Sequence, residues 1–253
     1  MGLSLAQFER GVPFAGDYAA ALDRLRERLG TLQLSQIAHG RRAMVLFEGW
    51  EGSGCKSALR NFAGAWDPCF FSAHCVRSDG FEQSDRHWLA PYWTALPVAG
   101  RTTLFYRSWY RRLVERRVEG LADKDWYRAF DEINEFEAQQ AEHGTLLVKL
   151  FFHISSDVQR QRRRERQEHD WERWLLRGDE LGALPDRDQY VKCWEQAFEL
   201  SDTRWAPWTV VDAGDTKAAS VAAQTAIADA FAEAMPAEPP QENVVALQKE
   251  RWG

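Results

Sequence analysis

The sequence predicts an α/β protein in which a parallel sheet carries helices on both faces. Three observations predict it. Short apolar runs alternate with longer stretches of helical periodicity, the pattern of β–α units. The run Leu146 to Ile154 is apolar with only Lys149 charged, as a central parallel strand covered on both faces should be. Between another apolar run, Val45-Leu46-Phe47, and a helical pattern stands the glycine-rich turn Gly49-Trp50-Glu51-Gly52-Ser53-Gly54-Cys55-Lys56-Ser57.

The elements follow in order. Asp17 to Leu34 reads as a helix, because Leu22, Leu25, Leu29 and Leu32 recur at helical spacing and Asp17 can cap it. His39-Gly40-Arg41-Arg42 turns the chain into a strand over Met44 to Phe47. The helix behind the glycines carries Ala58, Leu59, Phe62, Ala63 and Trp66, and Asp67-Pro68 ends it, since a residue before proline avoids the helical region. Cys69 to Val76 reads as a second strand, Gln83 to Leu96 as a tryptophan-rich helix and Thr102 to Phe105 as a third strand. Ser108 to Gly120 and Asp125 to Glu142 are helical in pattern. Ser156-Asp157-Val158-Gln159 has the form of a capping box, opening a helix that enters the charged run Arg160 to Glu172. A helix from Arg187 to Leu200, a strand from Trp208 to Val211 and a helix from Thr216 to Ala234 complete the pattern. The expected division is an N-terminal helical segment over 1–40, a main domain over 41–235 and a mobile tail over 236–253 that contains Glu238-Pro239-Pro240.

Composition bounds the function. The chain has 253 residues, 45% hydrophobic and 28% charged, enough for one large domain with a substantial core. No stretch has the length of a membrane span, and the first residues lack a basic region followed by an apolar core, so a cytoplasmic protein is expected. The four cysteines show no paired metal spacing and read as reduced thiols. A net charge of −6 argues against general nucleic-acid affinity.

The glycine-rich turn has the layout of a phosphate-binding loop. Gly49, Gly52 and Gly54 allow successive backbone N–H groups to line one concavity, Ser53 and Ser57 flank it, and the helix behind adds the positive end of its dipole. In such loops a lysine follows the last glycine and reaches the outer phosphates. Here Cys55 holds that position and Lys56 comes one residue later, rotated by roughly 100° if the helix has begun. A thiol at a helix N-terminus is a candidate for a lowered pKa, so Cys55 is a candidate reactive group. The end of a neighbouring strand, where a phosphate-loop kinase keeps a metal-binding acid, holds Tyr106, followed by Arg107. Arg107 reads equally as a phosphate contact or as an ion-pair partner at a helix start. Two basic clusters, one with Arg107, Arg111, Arg112, Arg116 and Arg117 and one with Arg160, Arg162, Arg163, Arg164 and Arg166, suggest an anion track inside an acidic protein. Their bland reading is a solvated face paired with Glu165 and Glu168. His153 reads as a hydrogen-bonded core residue.

At this point the motifs resemble a family. Phe47-Glu48-Gly49-Trp50, Arg107-Ser108-Trp109-Tyr110, Arg117-Val118-Glu119-Gly120, Asp131 to Glu137 and Ala206-Pro207-Trp208 occur in the order found in the second family of polyphosphate kinases. Their details are most similar to its polyphosphate:AMP phosphotransferase branch, and the likeness runs from about Leu22 to about Ala234. The resemblance implies a phosphate-loop kinase-like three-layer α/β/α fold with a helical lid over about 160–205. It implies Mg²⁺-dependent phosphoryl transfer between polyphosphate and a nucleoside mono- or diphosphate, in a homo-oligomer. Lys56 and Arg107, with Gly49, Gly52, Ser53, Gly54 and Ser57, would hold phosphate, and Glu51 would hold Mg²⁺. Arg111, Arg112, Arg116 and the lid residue Arg173 would extend the phosphate track.

The departures from the family pattern fall on its chemistry. Glu51 stands for an Asp, Cys55 for a Lys, Lys56 for a Gly, Tyr106 for a metal-binding Asp, Leu175 for a Lys and Ser220 for an Arg. Asp215 and Lys217 match. Three readings stay open at this level: a polyphosphate-dependent nucleotide phosphotransferase of reduced activity, an inactive phosphate- and nucleotide-binding paralogue that serves as a regulatory partner, and a small-molecule kinase with another acceptor.

Overall fold

The computed structural model describes residues 3–75, 86–175 and 187–240. Five strands form one sheet: β1 Arg42–Gly49, β2 Phe71–Cys75, β3 Thr102–Tyr106, β4 Thr145–His153 and β5 Trp208–Asp212. Their spatial order is β2-β3-β1-β4-β5, and every neighbouring pair is parallel. The chain leaves β1 toward one edge and later returns to its other side. The carboxyl end of β1 is therefore a topological switch point, where α/β sheets open a ligand crevice.

Helices cover both faces. On one lie α1 (Tyr18–Ala38), α2 (Cys55–Ala63) and α9 (Thr216–Ala234), with α1 and α2 packed on α9 and α9 on β4 and β5. On the other lie α4 (Trp109–Val118), α5 (Asp123–Glu142) and α8 (Arg187–Ser201), mutually in contact, with α5 on β4. Short α3 (Ala90–Trp93) precedes β3, and α6 (Ser156–Glu168) and α7 (Asp170–Leu175) follow β4. Asp17 caps α1 as its position predicts, its carboxylate accepting from the Ala20 N–H at 3.1 Å.

The core is apolar and aromatic. β1 is buried from Ala43 to Glu48, and Trp109, Trp126 and Trp194 are among the largest fully enclosed side chains. Lys149, the charge inside the β4 run, is itself fully buried. Its ammonium donates to Glu137 Oε2 (2.8 Å), the Ser201 carbonyl (2.8 Å) and the Tyr110 hydroxyl (3.1 Å), which closes its hydrogen-bonding capacity.

Several sequence boundaries move. α2 stops at Ala63, ahead of Asp67-Pro68; Asp67 instead caps a 3-10 turn over Pro68–Phe70, which delays β2 to Phe71. The helix expected from Gln83 to Leu96 is helical only over Ala90–Trp93 within the described residues. Pro91 sits in its first turn, and a proline ring clashes with the carbonyl four residues back, so the helix cannot extend upstream. The cap of α6 is Ser155, whose hydroxyl accepts from the Val158 N–H, one residue before the expected Ser156. Val76, the span 83–85, the lid span 176–186 and the tail beyond 240 lie outside the described residues.

Candidate active site

The loop between β1 and α2 is shaped by backbone demands that only glycine meets. Gly49 has φ 152°, and a Cβ there would stand 2.6 Å from the Phe152 carbonyl oxygen on β4. Gly54 takes the left-handed conformation (φ 82°) as the N-cap of α2. Within the loop the Ser53 N–H donates to the Trp50 carbonyl, while the N–H groups of Gly52, Gly54, Cys55 and Lys56 have no acceptor among the described residues. The Ser53 hydroxyl is fully buried without a hydrogen-bond partner. A cluster of free N–H donors at a helix start is an anion-binding arrangement.

The loop is braced from three sides. The Trp50 indole N–H donates to His153 Nδ1 (2.7 Å), and the Arg187 guanidinium lies 4.3 Å from the centre of the same indole. Arg162 of α6 donates to the Gly52 carbonyl (2.9 Å) and to the Gly214 carbonyl (2.7 Å). Arg166, one turn later, pairs with Glu51 Oε1 at 3.1 Å, and Gln159 donates to the Glu51 carbonyl. His153 also meets Glu9 through Nε2 (2.9 Å). Burial holds its pKa below the usual histidine value, and the Trp50 bond leaves Nδ1 as acceptor, so the ring is neutral with its proton on Nε2.

Beside the loop, a cleft is lined by Phe47, Gly49, Glu51, Cys55, Tyr106, Arg107 and Arg111, with Trp50 at its wall. Arg107 is the one described non-glycine residue with positive φ (64°), and its N–H donates to the Phe47 carbonyl, which anchors it to β1. Its guanidinium lies 5.5 Å from the centre of the Tyr106 ring, and the Lys56 ammonium lies 5.9 Å from the same ring. The tertiary structure thus brings Gly49, Glu51 and Arg107 to one cleft, with Lys56 beside its Tyr106 wall. Arg111 joins them: its guanidinium reaches the Gly49 carbonyl (3.4 Å) and is paired with Glu115 (2.5 Å).

Four expectations change. Cys55 is buried, and desolvation together with the nearby Glu48 carboxylate pushes its thiol well above the ordinary value, so it is not an activated nucleophile. Arg112 and Arg116 do not continue the Arg111 track. One helical step rotates them away, and they line a separate cavity with Trp88 and Arg128. Arg173 is exposed and pairs with Asp170 on its own helix. Ser220 is buried between α2 and α9, accepting from Asn61 (2.9 Å), and is not part of the cleft.

Glu48 was legible as a motif residue but not as a site residue. It is fully enclosed beneath the cleft, its pKa raised by burial against the opposing pull of Ser108, Arg111 and Arg107. An acid at the end of an otherwise apolar strand was the available signal. Among the described residues no three His, Cys, Asp or Glu side chains converge on a metal position. Glu51 is the cleft's carboxylate and is shared with Arg166. The donor set suits a metal carried mainly by phosphate oxygens and water, the usual mode for Mg²⁺, rather than a protein cage.

The five-stranded parallel sheet, its switch point and the glycine loop with basic residues above it define a phosphate-loop α/β protein of kinase-like architecture. The chain belongs to the polyphosphate kinase 2 family: the family's model matches residues 15–239. It is 32% identical over 189 residues to a polyphosphate:AMP phosphotransferase of Pseudomonas aeruginosa, covering 74% of this chain and 38% of that protein. It is 30% identical over 210 residues to an AMP/ADP-polyphosphate phosphotransferase of Meiothermus ruber, covering 81% of this chain and 77% of that one. The crystal structure of polyphosphate kinase 2 from Arthrobacter aurescens TC1 superposes with a TM-score of 0.87 at 26% identity, over 99% of this chain and 93% of that chain. The chain spans only about two fifths of the Pseudomonas relative's length. No helix among the described residues is long and apolar enough to cross a membrane.

Proposed function

We propose that this chain is a polyphosphate-dependent nucleotide phosphotransferase whose transfer step is slowed by its own cleft. The observation that carries the reading is the cluster of N–H donors at Gly52, Gly54, Cys55 and Lys56 that have no acceptor among the described residues, next to a cleft in which Cys55 stands with Arg107 and Arg111. Phosphoryl transfer requires mainly positioning and charge stabilisation, and these groups supply both. Lys56, Arg107 and the glycine loop hold the phosphates. Arg162 and Arg166 keep the loop in shape. When bound, Mg²⁺ would neutralise charge between phosphates, and Glu51 would hold it directly or through water. Tyr106 offers no carboxylate for the metal. Membership of the family and the printed activities of its relatives support polyphosphate as donor and a nucleoside mono- or diphosphate as acceptor.

The reading includes a homo-oligomer, checked by light scattering, and a reducing compartment such as the cytoplasm, consistent with the unpaired Cys69 and Cys75. The deciding experiment incubates purified protein with Mg²⁺, polyphosphate and either AMP or ADP and follows the nucleotide products. Formation of ADP or ATP, lost in an Arg107→Ala variant, is the expected result. No product with either acceptor at any donor length would overturn the activity.

A further inference from the structure

The residues ahead of α1 form a strap across the carboxyl ends of β4 and β5. It opens with a 3-10 turn over Leu5–Phe8, which packs on β5 and buries Leu5 in the core. Carboxylates of the main domain receive its backbone. Glu195 accepts from the Leu5 N–H (2.8 Å), Asp212 Oδ2 from the N–H groups of Arg10 (2.8 Å) and Gly11 (2.9 Å), and Asp215 from the Phe14 N–H (3.3 Å). At Gly11 the strap crosses the turn between β5 and α9 so closely that a Cβ on Gly214 would stand 2.4 Å from the Gly11 Cα. Tethers of this kind hold an otherwise irregular segment in one place.

From this strap Glu9 reaches inward. Its Oε1 lies 2.9 Å from His153 Nε2, and His153 Nδ1 accepts from the Trp50 indole N–H at 2.7 Å. Trp50 belongs to the glycine loop, and its carbonyl accepts from the Ser53 N–H. The direction of this chain of hydrogen bonds is set at its outer end. A carboxylate only accepts, so it keeps the imidazole proton on Nε2 and leaves Nδ1 to accept from the indole. With the proton on Nδ1 instead, two N–H donors would face each other, and the indole would lose its partner. His153 is 1% exposed and Trp50 4%, so water is a poor substitute for that partner. The strap also packs on Gly214, whose carbonyl accepts from the same Arg162 that holds the Gly52 carbonyl. Glu9 itself does not line the cleft.

We infer that Glu9 is a positioning residue for the glycine loop: it holds the His153 tautomer that fixes Trp50, and through Trp50 it sets the loop's affinity for phosphate groups. This role rests on the phosphate-holding function proposed above for that loop. The charge of Glu9 alone would act in the opposite direction, because removing an acid near an anion site favours the anion. The test titrates the full chain calorimetrically with tripolyphosphate at fixed pH and salt, using wild type, Glu9→Ala, Glu9→Gln, Trp50→Phe and Glu9→Ala combined with Trp50→Phe. Circular dichroism and urea denaturation confirm that each variant is folded at the titration temperature. Affinity should fall about threefold or more in Glu9→Ala. Glu9→Gln should bind like wild type, because the amide oxygen still accepts from Nε2. In the Trp50→Phe background, Glu9→Ala should have little further effect, since the group through which it acts is gone. Unchanged or raised affinity in Glu9→Ala overturns the role even if the unfolding midpoint drops, because a strap that only stabilises leaves the affinity of the folded protein alone. An equal loss in Glu9→Gln assigns the effect to charge and overturns it too, as does a full further loss in the double variant. If wild type binds tripolyphosphate and Glu9→Ala matches it, the positioning role alone fails. If wild type binds none, the loop's phosphate function fails, and the role of Glu9 falls with it.

Discussion

Glu48 Oε1 accepts from both the backbone N–H and the hydroxyl of Ser108, the latter at 2.7 Å, and so ties the end of β1 to the start of α4. That hydroxyl in turn caps α4 through the Tyr110 N–H. One buried carboxylate therefore sets where Arg107 and Arg111 stand relative to the glycine loop. Glu48→Ala would orphan the Ser108 N–H and should cost about 1–3 kcal/mol of unfolding free energy, read by urea denaturation. Glu48→Gln keeps an acceptor and should cost clearly less. Equal losses would show that charge, rather than hydrogen bonding, holds the junction.

Gly49→Ala tests the loop's backbone. The added methyl carbon would meet the Phe152 carbonyl at 2.6 Å, and neither backbone can retreat without breaking the β1–β4 ladder. The expected loss is at least ~2 kcal/mol in stability, together with loss of tripolyphosphate binding. A thermal melt matching wild type would refute the argument.

The Lys149–Glu137 pair is buried at 0% exposure on both sides. Glu137→Leu leaves an uncompensated ammonium and should destabilise by about 3–5 kcal/mol. Glu137→Leu combined with Lys149→Met should recover most of that loss in a double-mutant cycle. Additive losses would show that the two charges do not act as a unit.

His153 gives the loop a pH dependence of definite sign. Its folded pKa lies below the unfolded value, so the unfolded chain binds more protons at mildly acid pH. The stability it contributes is complete above the unfolded value of about 6.5 and declines as pH falls toward the folded one. Melting temperature should drop between roughly pH 7 and 5 in wild type, and His153→Gln should flatten that part of the profile. An unchanged profile in the variant assigns the drop to other groups.

Tyr106 is flanked by Lys56 and Arg107, so Tyr106→Asp sets a carboxylate between two cations as well as beside the phosphate site. We expect the transfer rate to rise about tenfold, or about 1.4 kcal/mol of barrier. Adding Glu51→Asp, Cys55→Lys and Lys56→Gly should raise it further and non-additively, since metal and lysine act on the same phosphates. A wild-type rate already at roughly 1–100 per second would refute the slowed step.

The sequence by itself determined the sheet, the order of its elements and the loop. Apolar runs, helical periodicity and glycine spacing are local signals, and Asp17 and the α9 limits were legible to the residue. Its errors were also local competitions, as where Pro91 shortened a helix or Ser155 took the cap from Ser156. Only the tertiary structure decided which charges share a space. Arg111 and Arg112 are neighbours in sequence, yet one faces the loop and the other a second cavity, because one residue of helix turns a side chain by about 100°. Arg162 and Arg166 sit more than a hundred residues from the loop they brace. Cys55 has the sequence position of an activated thiol, but the packing around it removes the water and supplies a carboxylate, and both oppose the thiolate. Sequence spacing fixes angles along one element; burial and electrostatics depend on what the other elements bring to the same point.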